Sequence, residues 1–447
     1  MGDAGCGLPS AAFCETFDQP SPVTRSGELD PTKWVVARYG HPAAVGFFQI
    51  GPMSTPTDGK LFPATLCGAP FANILPPYDV KICSGTGIDG KPSNQLQEVM
   101  NDQGDFSYTS MRILQPFDFT NRTGRLVMDV DAKVNPLNLG HGWWVEVWIT
   151  EDPAPMPYHG APTVAAYPRA GVGMAFQFGG DCPEPGGPKS GNYTGSDWQN
   201  SLGGITVTKD FEILHSIPFW EFNEAPSGRC FNVADTKMNH LEFLINKDKL
   251  EFWASDYEKP GSFRLLATVN NLDLPFSKGY VHLQHAAYNA PKDGNVTDAQ
   301  TFRWDNIGFD GPTYPTPRTY VAPDNNQLVA YNKTRTGYML GGGETQTLVI
   351  PNVNLTKAVA ATLNFNTFGH HGQRVEYSIN GTWHTYTIVS AGGAQGGTGL
   401  RTHSTPVALT ELANGDNTVA IRINSADLAN QNQEMVGNVD ITLEIAK

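Results

Sequence analysis

The sequence predicts an all-β protein built from half-buried antiparallel strands. Apolar and polar residues alternate with a period of two over many short runs, and helical periodicity is nearly absent. Gly (47) and Pro (33) are abundant, while charged residues make up only 17% of the chain. Such alternation places one face of each strand on a core and the other toward solvent. Frequent Gly and Pro favour turns and loops over helices.

The clearest strands lie between residues 125 and 284. Leu126, Met128 and Val130 form one apolar face, and the residues between them are partly acidic. The same alternation predicts strands at 144–150, 172–178, 240–245, 250–253 and 281–284, and a hairpin turn at 246–249. Three long segments without such a pattern, 51–92, 152–171 and 179–200, are predicted to be loops.

A second series of strands follows a proline-rich segment. At 447 residues the chain is too long for one ordinary core. We therefore divide it into residues 1–312, a stiff linker at 313–319, and residues 320–447. The last part predicts a smaller β-sandwich, a jelly roll, with strands at 346–350, 361–365, 374–379, 384–389, 417–423 and 439–445. Its architecture resembles the carbohydrate-binding modules attached to secreted glycan-degrading enzymes.

Two segments frame the first part. FCETFD at 13–18 and TFRWDNIGFD at 301–310 resemble the first and last strands of the concanavalin A-like lectin/glucanase sandwich. The resemblance implies a concanavalin A-like β-sandwich (a jelly roll) over residues 1–312, with its terminal strands side by side. It also implies a polysaccharide or oligosaccharide as partner, although a fold does not fix a function.

The composition excludes other partners. A net charge of −14 argues against nucleic acid and anionic membrane surfaces. No segment approaches the roughly 18 apolar residues of a membrane span. The oligomeric state is left open.

Six cysteines, at 6, 14, 67, 83, 182 and 230, lie in the first part of the chain, and none forms a C-x-x-C pair. The even number predicts disulfides and a secreted, extracellular protein. Of the fifteen possible connectivities we favour the pairing of neighbours, and six buried free thiols are the alternative. The favoured pairs are Cys6–Cys14, Cys67–Cys83 and Cys182–Cys230.

The segment HGWWVEVWITED at 141–152 is the densest candidate site. On a strand, Trp144, Glu146 and Trp148 share one face. Aromatic rings bind the apolar faces of sugars, and a carboxylate between them can bind hydroxyls or transfer a proton. The alternative is that both tryptophans only cover a sheet face and Glu146 is solvated.

The same segment resembles the E-x-D-x-x-E strand of laminarinase/lichenase-type glycoside hydrolases. The resemblance implies Glu146 and Glu151 as catalytic carboxylates, but Trp148 stands in the position of the central Asp. Glycoside hydrolysis is thus the first hypothesis for function. A polysaccharide lyase with His282 as general base is the second. A non-catalytic lectin or adhesin is the alternative from another class.

Further candidates follow from outward-facing positions on other strands. Gln177, Gln284 and Trp253 are predicted to bind substrate, although a sandwich has two outer faces and these strands divide between them. Sandwiches that resemble this one bind Ca²⁺ through an Asp of the last strand, which implies a structural calcium ion at Asp305.

Overall fold

The structure, a computed structural model, is almost entirely β. It describes residues 6–18, 29–41, 65–66, 69–70, 78–100, 106–133, 143–151, 168–176, 204–210, 212–218, 238–255, 263–287, 300–321, 338–340, 345–370, 374–387, 398–424 and 434–446. Among these residues the one helical element is a 3-10 turn at Leu409–Glu411. No helix in the described ranges is long and apolar enough to span a membrane.

The N-terminal sandwich consists of two packed antiparallel sheets. We call the sheet ordered β13-β12-β11-β10-β17-β7-β2, with β8 beside β17, the front sheet. The sheet ordered β16-β15-β14-β9-β18-β6-β5, with β1 beside β18, is the back sheet. The strands, including the short pair β3–β4, are β1 (Phe13–Glu15), β2 (Trp34–His41), β3 (Thr65–Leu66), β4 (Ala69–Pro70), β5 (Tyr78–Thr86), β6 (Pro92–Met100), β7 (Phe106–Ile113), β8 (Phe117–Asp118), β9 (Gly124–Lys133), β10 (Trp143–Thr150), β11 (Ala170–Phe176), β12 (Gly204–Lys209), β13 (Glu212–Pro218), β14 (Asn239–Ile245), β15 (Lys249–Ser255), β16 (Phe263–Asn270), β17 (Lys278–Ala287) and β18 (Gln300–Phe309).

The terminal strands lie side by side, as the resemblance implied. β1 pairs antiparallel with β18, with Phe13 opposite Phe309. The two rings stack with centroids 5.3 Å apart, and Phe13 meets the edge of Trp34 at 5.7 Å. These buried rings add favourable aromatic contacts to the backbone pairing. The prediction of a concanavalin A-like sandwich is confirmed.

The core lies between the two sheets, with the alternation that the sequence predicted. Leu126, Met128 and Val130 face inward from β9, and Val145, Val147 and Ile149 face inward from β10. The predicted turn also forms: the Asn246 side-chain oxygen accepts hydrogen bonds from the amides of Asp248 and Lys249, each at 2.9 Å. Such local bonds fix a tight turn between strands.

The back sheet is partly covered on its outer side. Val127 points outward yet is buried, because Cys6 and Leu8 of the N-terminal segment pack on it. The Cys6–Cys14 disulfide closes this segment, as predicted. Gly308 lies beneath it, where a Cβ would approach the Cys6 Cβ to 2.9 Å. This close approach requires glycine at that position.

Two other predictions concern the cysteines and the loops. Cys83 is disulfide-bonded to a partner outside the described residues, and the predicted Cys182–Cys230 pair lies wholly outside them. The prediction of a loop over 51–92 is wrong in part, because Tyr78–Thr86 is a strand paired with β6. β5 and β6 form a hairpin, and in its turn the Gly87 amide donates a hydrogen bond of 2.8 Å to the carbonyl of Lys91.

A second, smaller sandwich follows. Its large C-terminal sheet has the order β19-β27-β22-β25, with β20 beside β27, and its small C-terminal sheet has the order β21-β26-β23-β24. Residues such as Leu363, Val375 and Ile441 form a separate core between them. The strands are β19 (Arg318–Val321), β20 (Tyr338–Leu340), β21 (Thr345–Val353), β22 (Ala358–His370), β23 (Arg374–Ile379), β24 (Thr382–Thr387), β25 (Thr398–Val407), β26 (Gly415–Ile423) and β27 (Glu434–Ile445).

The predicted linker is shorter than expected, because Arg318 and Thr319 already belong to β19 and pair with β27. The Thr319 amide also donates a hydrogen bond of 3.0 Å to the carbonyl of Pro31 in the first sandwich. The chain between the sandwiches is therefore fixed at its C-terminal end by a contact that no local pattern reveals.

Candidate functional site

A polar cluster lies on the outer face of the front sheet, at its centre. Glu146 on β10 stands opposite Gln284 on β17. One carboxylate oxygen of Glu146 accepts hydrogen bonds from the Trp148 indole N–H at 3.0 Å and from the Gln284 amide at 3.2 Å. The predicted residues Glu146, Trp148 and Gln284 are thus brought together by strand pairing.

His282 extends the cluster along β17. It stands opposite Trp148 on one side and Arg112 of β7 on the other. Its Nε2 lies 3.0 Å from the Thr150 hydroxyl. The Arg112 guanidinium lies 5.2 Å from the centre of the Tyr280 ring, within cation–π range. Carboxylate, imidazole, guanidinium, amide and hydroxyl groups therefore share one patch.

This face is buried, although the sequence predicted a solvent-facing side for β10. Glu146, Thr150, His282 and Gln284 are all buried, and Trp148 is 1% exposed. Trp148 packs over Gly173 of β11, where a Cβ would come within 2.3 Å of the indole. The ring therefore has a fixed position that only glycine on the neighbouring strand permits.

The cluster contains an unsatisfied acceptor. Among the described residues, the side-chain oxygen of Gln284 is buried without a hydrogen-bond partner. Buried polar atoms in native proteins are nearly always bonded, so this exception calls for an explanation. The amide group of Gln284 already donates to Glu146, so its oxygen is free to accept a bond from a ligand hydroxyl.

The cluster reaches toward the second sandwich at Arg112. Asp440 on β27 is buried and accepts a hydrogen bond of 2.6 Å from the Asn364 side chain. Burial raises the pKa of Asp440 to about 7, and the positive charge of Arg112 acts against this rise. β2, which pairs with β7 beside Arg112, also contacts β27.

Other predicted residues are not part of the cluster. Trp253 lies on β15 of the back sheet, so it is on a different sheet from Glu146. Glu151 follows the last residue of β10 and forms an ion pair with Arg169. Trp144 stands opposite Ala286, but its side chain and all of Gln177 lie outside the described residues.

Sequence reasoning missed Arg112 and Thr150. Arg112 lies in the run Met111-Arg112-Ile113, whose apolar members are buried in the core. A charged residue between two core residues on a strand points to the opposite face, which is the signal that was available.

Asp305 lies where β18 departs from regular pairing with β9, between Asp305 and Gly308. Its carboxylate accepts hydrogen bonds from the Ser93 hydroxyl and the Asn306 amide, both at 2.8 Å. Burial raises the pKa of Asp305 to about 7, and the nearby carboxylates of Asp129 and Asp18 add to the rise. Within the described residues, no three His, Cys, Asp or Glu side chains form a ready metal-binding group.

Next to Asp305, the back sheet carries a charged network. The His240 ring donates hydrogen bonds to Asp129 at 2.7 Å and to Glu242 at 3.2 Å, and Glu242 pairs with Arg125. Burial opposes ionisation of His240, but these two carboxylates raise its pKa to about 9. Burial likewise opposes ionisation of Glu242, yet His240 and Arg125 lower its pKa to about 2. At neutral pH these groups are charged and mutually satisfied, as in a structural network.

No protein-family model matches the chain, and a search of curated proteins found no match. Solved structures do match. The VIP36 exoplasmic/lumenal domain in its Ca²⁺/Man3GlcNAc-bound form is 11% identical and covers 54% of this chain and 86% of its own, with a TM-score of 0.31.

Two other similar structures are plant lectins. Lectin II from Ulex europaeus is 9% identical, covers 52% of this chain and 92% of its own, and has a TM-score of 0.31. Peanut lectin with a 9-mer peptide is 7% identical, covers 62% and 99%, and has a TM-score of 0.30. Because identity and superposition are both low, these matches carry no argument about a ligand, and the fold assignment rests on strand topology.

Proposed function

We propose that this protein binds a polysaccharide or oligosaccharide on the front sheet of its N-terminal sandwich. The observation that carries the proposal is the buried polar cluster around Glu146, with the unsatisfied oxygen of Gln284 at its centre. Ligand sites are concave and place a few polar groups among aromatic and apolar walls. Sugars suit this chemistry, because their hydroxyls both donate and accept hydrogen bonds.

We propose glycan binding, rather than glycan cleavage, as the main function. Glu151 lies beyond the end of β10 and forms an ion pair with Arg169, so the strand itself supplies only Glu146 of the two carboxylates that glycoside hydrolysis needs. Cleavage by proton transfer remains the second candidate. The observation in its favour is that Glu146 and His282, two groups suited to acid–base chemistry, share the cluster.

The binding proposal is tested with a matched pair of substitutions. Gln284→Met should weaken glycan binding at least about tenfold, since it removes a donor and an acceptor inside the site. Gln95→Met changes another buried glutamine, on the back sheet, whose oxygen also lacks a partner among the described residues. It should leave glycan affinity unchanged.

The measurement is a screen of the full chain against soluble polysaccharides and oligosaccharides, followed by titration calorimetry of both variants. Reducing ends and absorbance of unsaturated products are recorded in parallel to detect hydrolysis or elimination. A wild type that binds no glycan, or equal losses in both variants, would overturn the proposed site.

We also propose that Asp305 binds a structural calcium ion. The carboxylates of Asp305, Asp129 and Asp18 and the Ser93 hydroxyl supply hard oxygen atoms of the kind that calcium prefers, although among the described residues they do not form a ready metal-binding group. Burial is the main cause of the raised pKa of Asp305, and a divalent cation would relieve the smaller repulsion from Asp129 and Asp18. Calcium here would join the last strand, β18, to the segment that follows β1.

Removing calcium should lower the melting temperature, and adding it back should restore stability. A ligand that binds only the native state stabilises it by about 2.7 kcal/mol at a hundredfold excess over Kd. Asp305→Asn should abolish the response to EDTA without lowering stability in EDTA, because the amide removes a disfavoured charge. Asp131→Asn, which changes a buried carboxylate paired with Arg303 on the same sheet, should keep the response. A wild type insensitive to EDTA would contradict the site.

The proposal also includes the location of the protein and the role of its second sandwich. The Cys6–Cys14 disulfide supports an oxidising, extracellular location. The second sandwich is proposed as an accessory carbohydrate-binding module.

A further inference from the structure

The small C-terminal sheet has an open outer face. Its inward residues, including Val375, Tyr377 and Val419, are buried in the second core. Between them, outward residues line a surface on which Ser378 and Ala420 are buried, while exposed or half-buried positions are Thr345, Thr347, Val349, Glu376, Trp383, Thr385, Thr418 and Arg422. By contrast, Asn364, Asp440 and Thr442 on the outer face of the large C-terminal sheet are buried.

Trp383 dominates this open face. It lies on β24, at the edge of the sheet, and is 41% exposed. The Arg422 guanidinium lies 4.0 Å from the ring centre, which fixes the indole by a cation–π contact. Within the described part of the chain, no hydrogen bond engages the indole N–H of Trp383. The ring is therefore held in place by Arg422 and remains partly open to solvent.

Polar side chains beside the ring are also held in fixed positions by their neighbours. Glu376 accepts hydrogen bonds from Arg422 at 2.7 Å and from the Asn424 side chain at 2.9 Å. Arg422 is thus anchored on one side and still carries unused N–H donors. Threonine hydroxyls line the face, and Thr385 stands opposite Glu376.

The charges on this face point to an uncharged ligand. Arg422 and Glu376 neutralise one another in an ion pair. Arg374 also faces outward, two residues before Glu376, and has its own interaction partner. An exposed, pre-oriented indole with hydroxyl, guanidinium and carboxylate groups at its rim is the chemistry that recognises sugar rings and their hydroxyls.

We infer that the outer face of the small C-terminal sheet is a second glycan-binding site, centred on Trp383, that takes a neutral polysaccharide. A rigid aromatic ring already fixed in the free protein loses little conformational entropy on binding. The inference rests on the proposed function only for its ligand class, since the site shares no residue with the cluster on the front sheet.

Trp383→Ala in the full chain should weaken binding to a neutral polysaccharide about tenfold or more, the effect expected for a central aromatic contact. Trp383→Tyr should restore most of the affinity, because a flat ring and a donor are retained. The matched control is Phe263→Ala, which removes another exposed ring, 44% accessible, from the back sheet. It should bind as the wild type does.

Affinity electrophoresis in gels containing neutral or acidic polysaccharides measures these effects, with circular dichroism to check folding. Unchanged migration of Trp383→Ala, while Gln284→Met loses binding, would overturn this site and leave the proposed function intact. Retardation only by acidic polysaccharides, abolished by salt, would overturn the neutral ligand. A wild type retarded by no polysaccharide would overturn both proposals.

Discussion

Trp148→Ala is expected to lower the free energy of unfolding by about 3–5 kcal/mol, the usual cost of truncating a buried tryptophan to alanine. The indole is 1% exposed and packs over Gly173. The substitution leaves a cavity there. It also removes the indole N–H, which donates a hydrogen bond to Glu146. Equilibrium denaturation in urea at neutral pH measures the change.

The same substitution at Trp383 serves as the control. That ring is exposed, so its removal should cost less than about 1 kcal/mol, the scale of a surface cation–π contact. If Trp148 were instead an open sugar-stacking surface, Trp148→Ala would impair binding and leave stability nearly unchanged. That result would contradict the burial of this face.

If the wild type cleaves its glycan, Glu146→Gln should lower kcat strongly and leave the affinity for the glycan unchanged. General acid–base catalysis contributes typically 10²–10⁴-fold, so we expect kcat to fall by about that factor. Glutamine keeps the size of the side chain, and its oxygen can still accept from Trp148 and Gln284. Initial rates from reducing ends or unsaturated products, together with Kd by calorimetry, separate the two effects.

Glu242→Gln is the matched control for this experiment. Glu242 is another buried carboxylate, on the back sheet, and is held by Arg125 and His240. Its substitution should reduce stability, because it leaves charged partners without their counter-charge, but kcat should not change. A wild type that binds without turnover, or a Glu146→Gln variant with full kcat, would contradict catalysis by Glu146.

Local pattern was enough to predict the strands and the direction of their side chains. The period-two alternation at 126–130 and 145–149 places the core residues correctly, because adjacent side chains on a strand must point to opposite faces. The prediction that Glu146 and Trp148 share a face follows from the same geometry. Cys6 and Cys14, eight residues apart, are also joined as predicted.

Sequence alternation could not determine which strands become neighbours. Gln284 and Trp253 both have outward positions, yet Gln284 contacts Glu146 and Trp253 lies on the other sheet. Alternation fixes a side chain relative to its own strand, whereas the order of strands depends on pairing between residues far apart in the chain. For the same reason Arg112 was missed, since only its pairing with β17 brings it to His282.

The amino-acid sequence by itself therefore determined an all-β chain, its strand faces and one half of the candidate site, because these depend on neighbours in the sequence. The terminal strand pair was implied by the resemblance alone. Tertiary structure alone decided that the polar face of β10 is buried and that Trp383 is left exposed on its own sheet. Both outcomes depend on what packs against each sheet. An outward-facing tryptophan has the same local pattern whether it is covered or open to solvent.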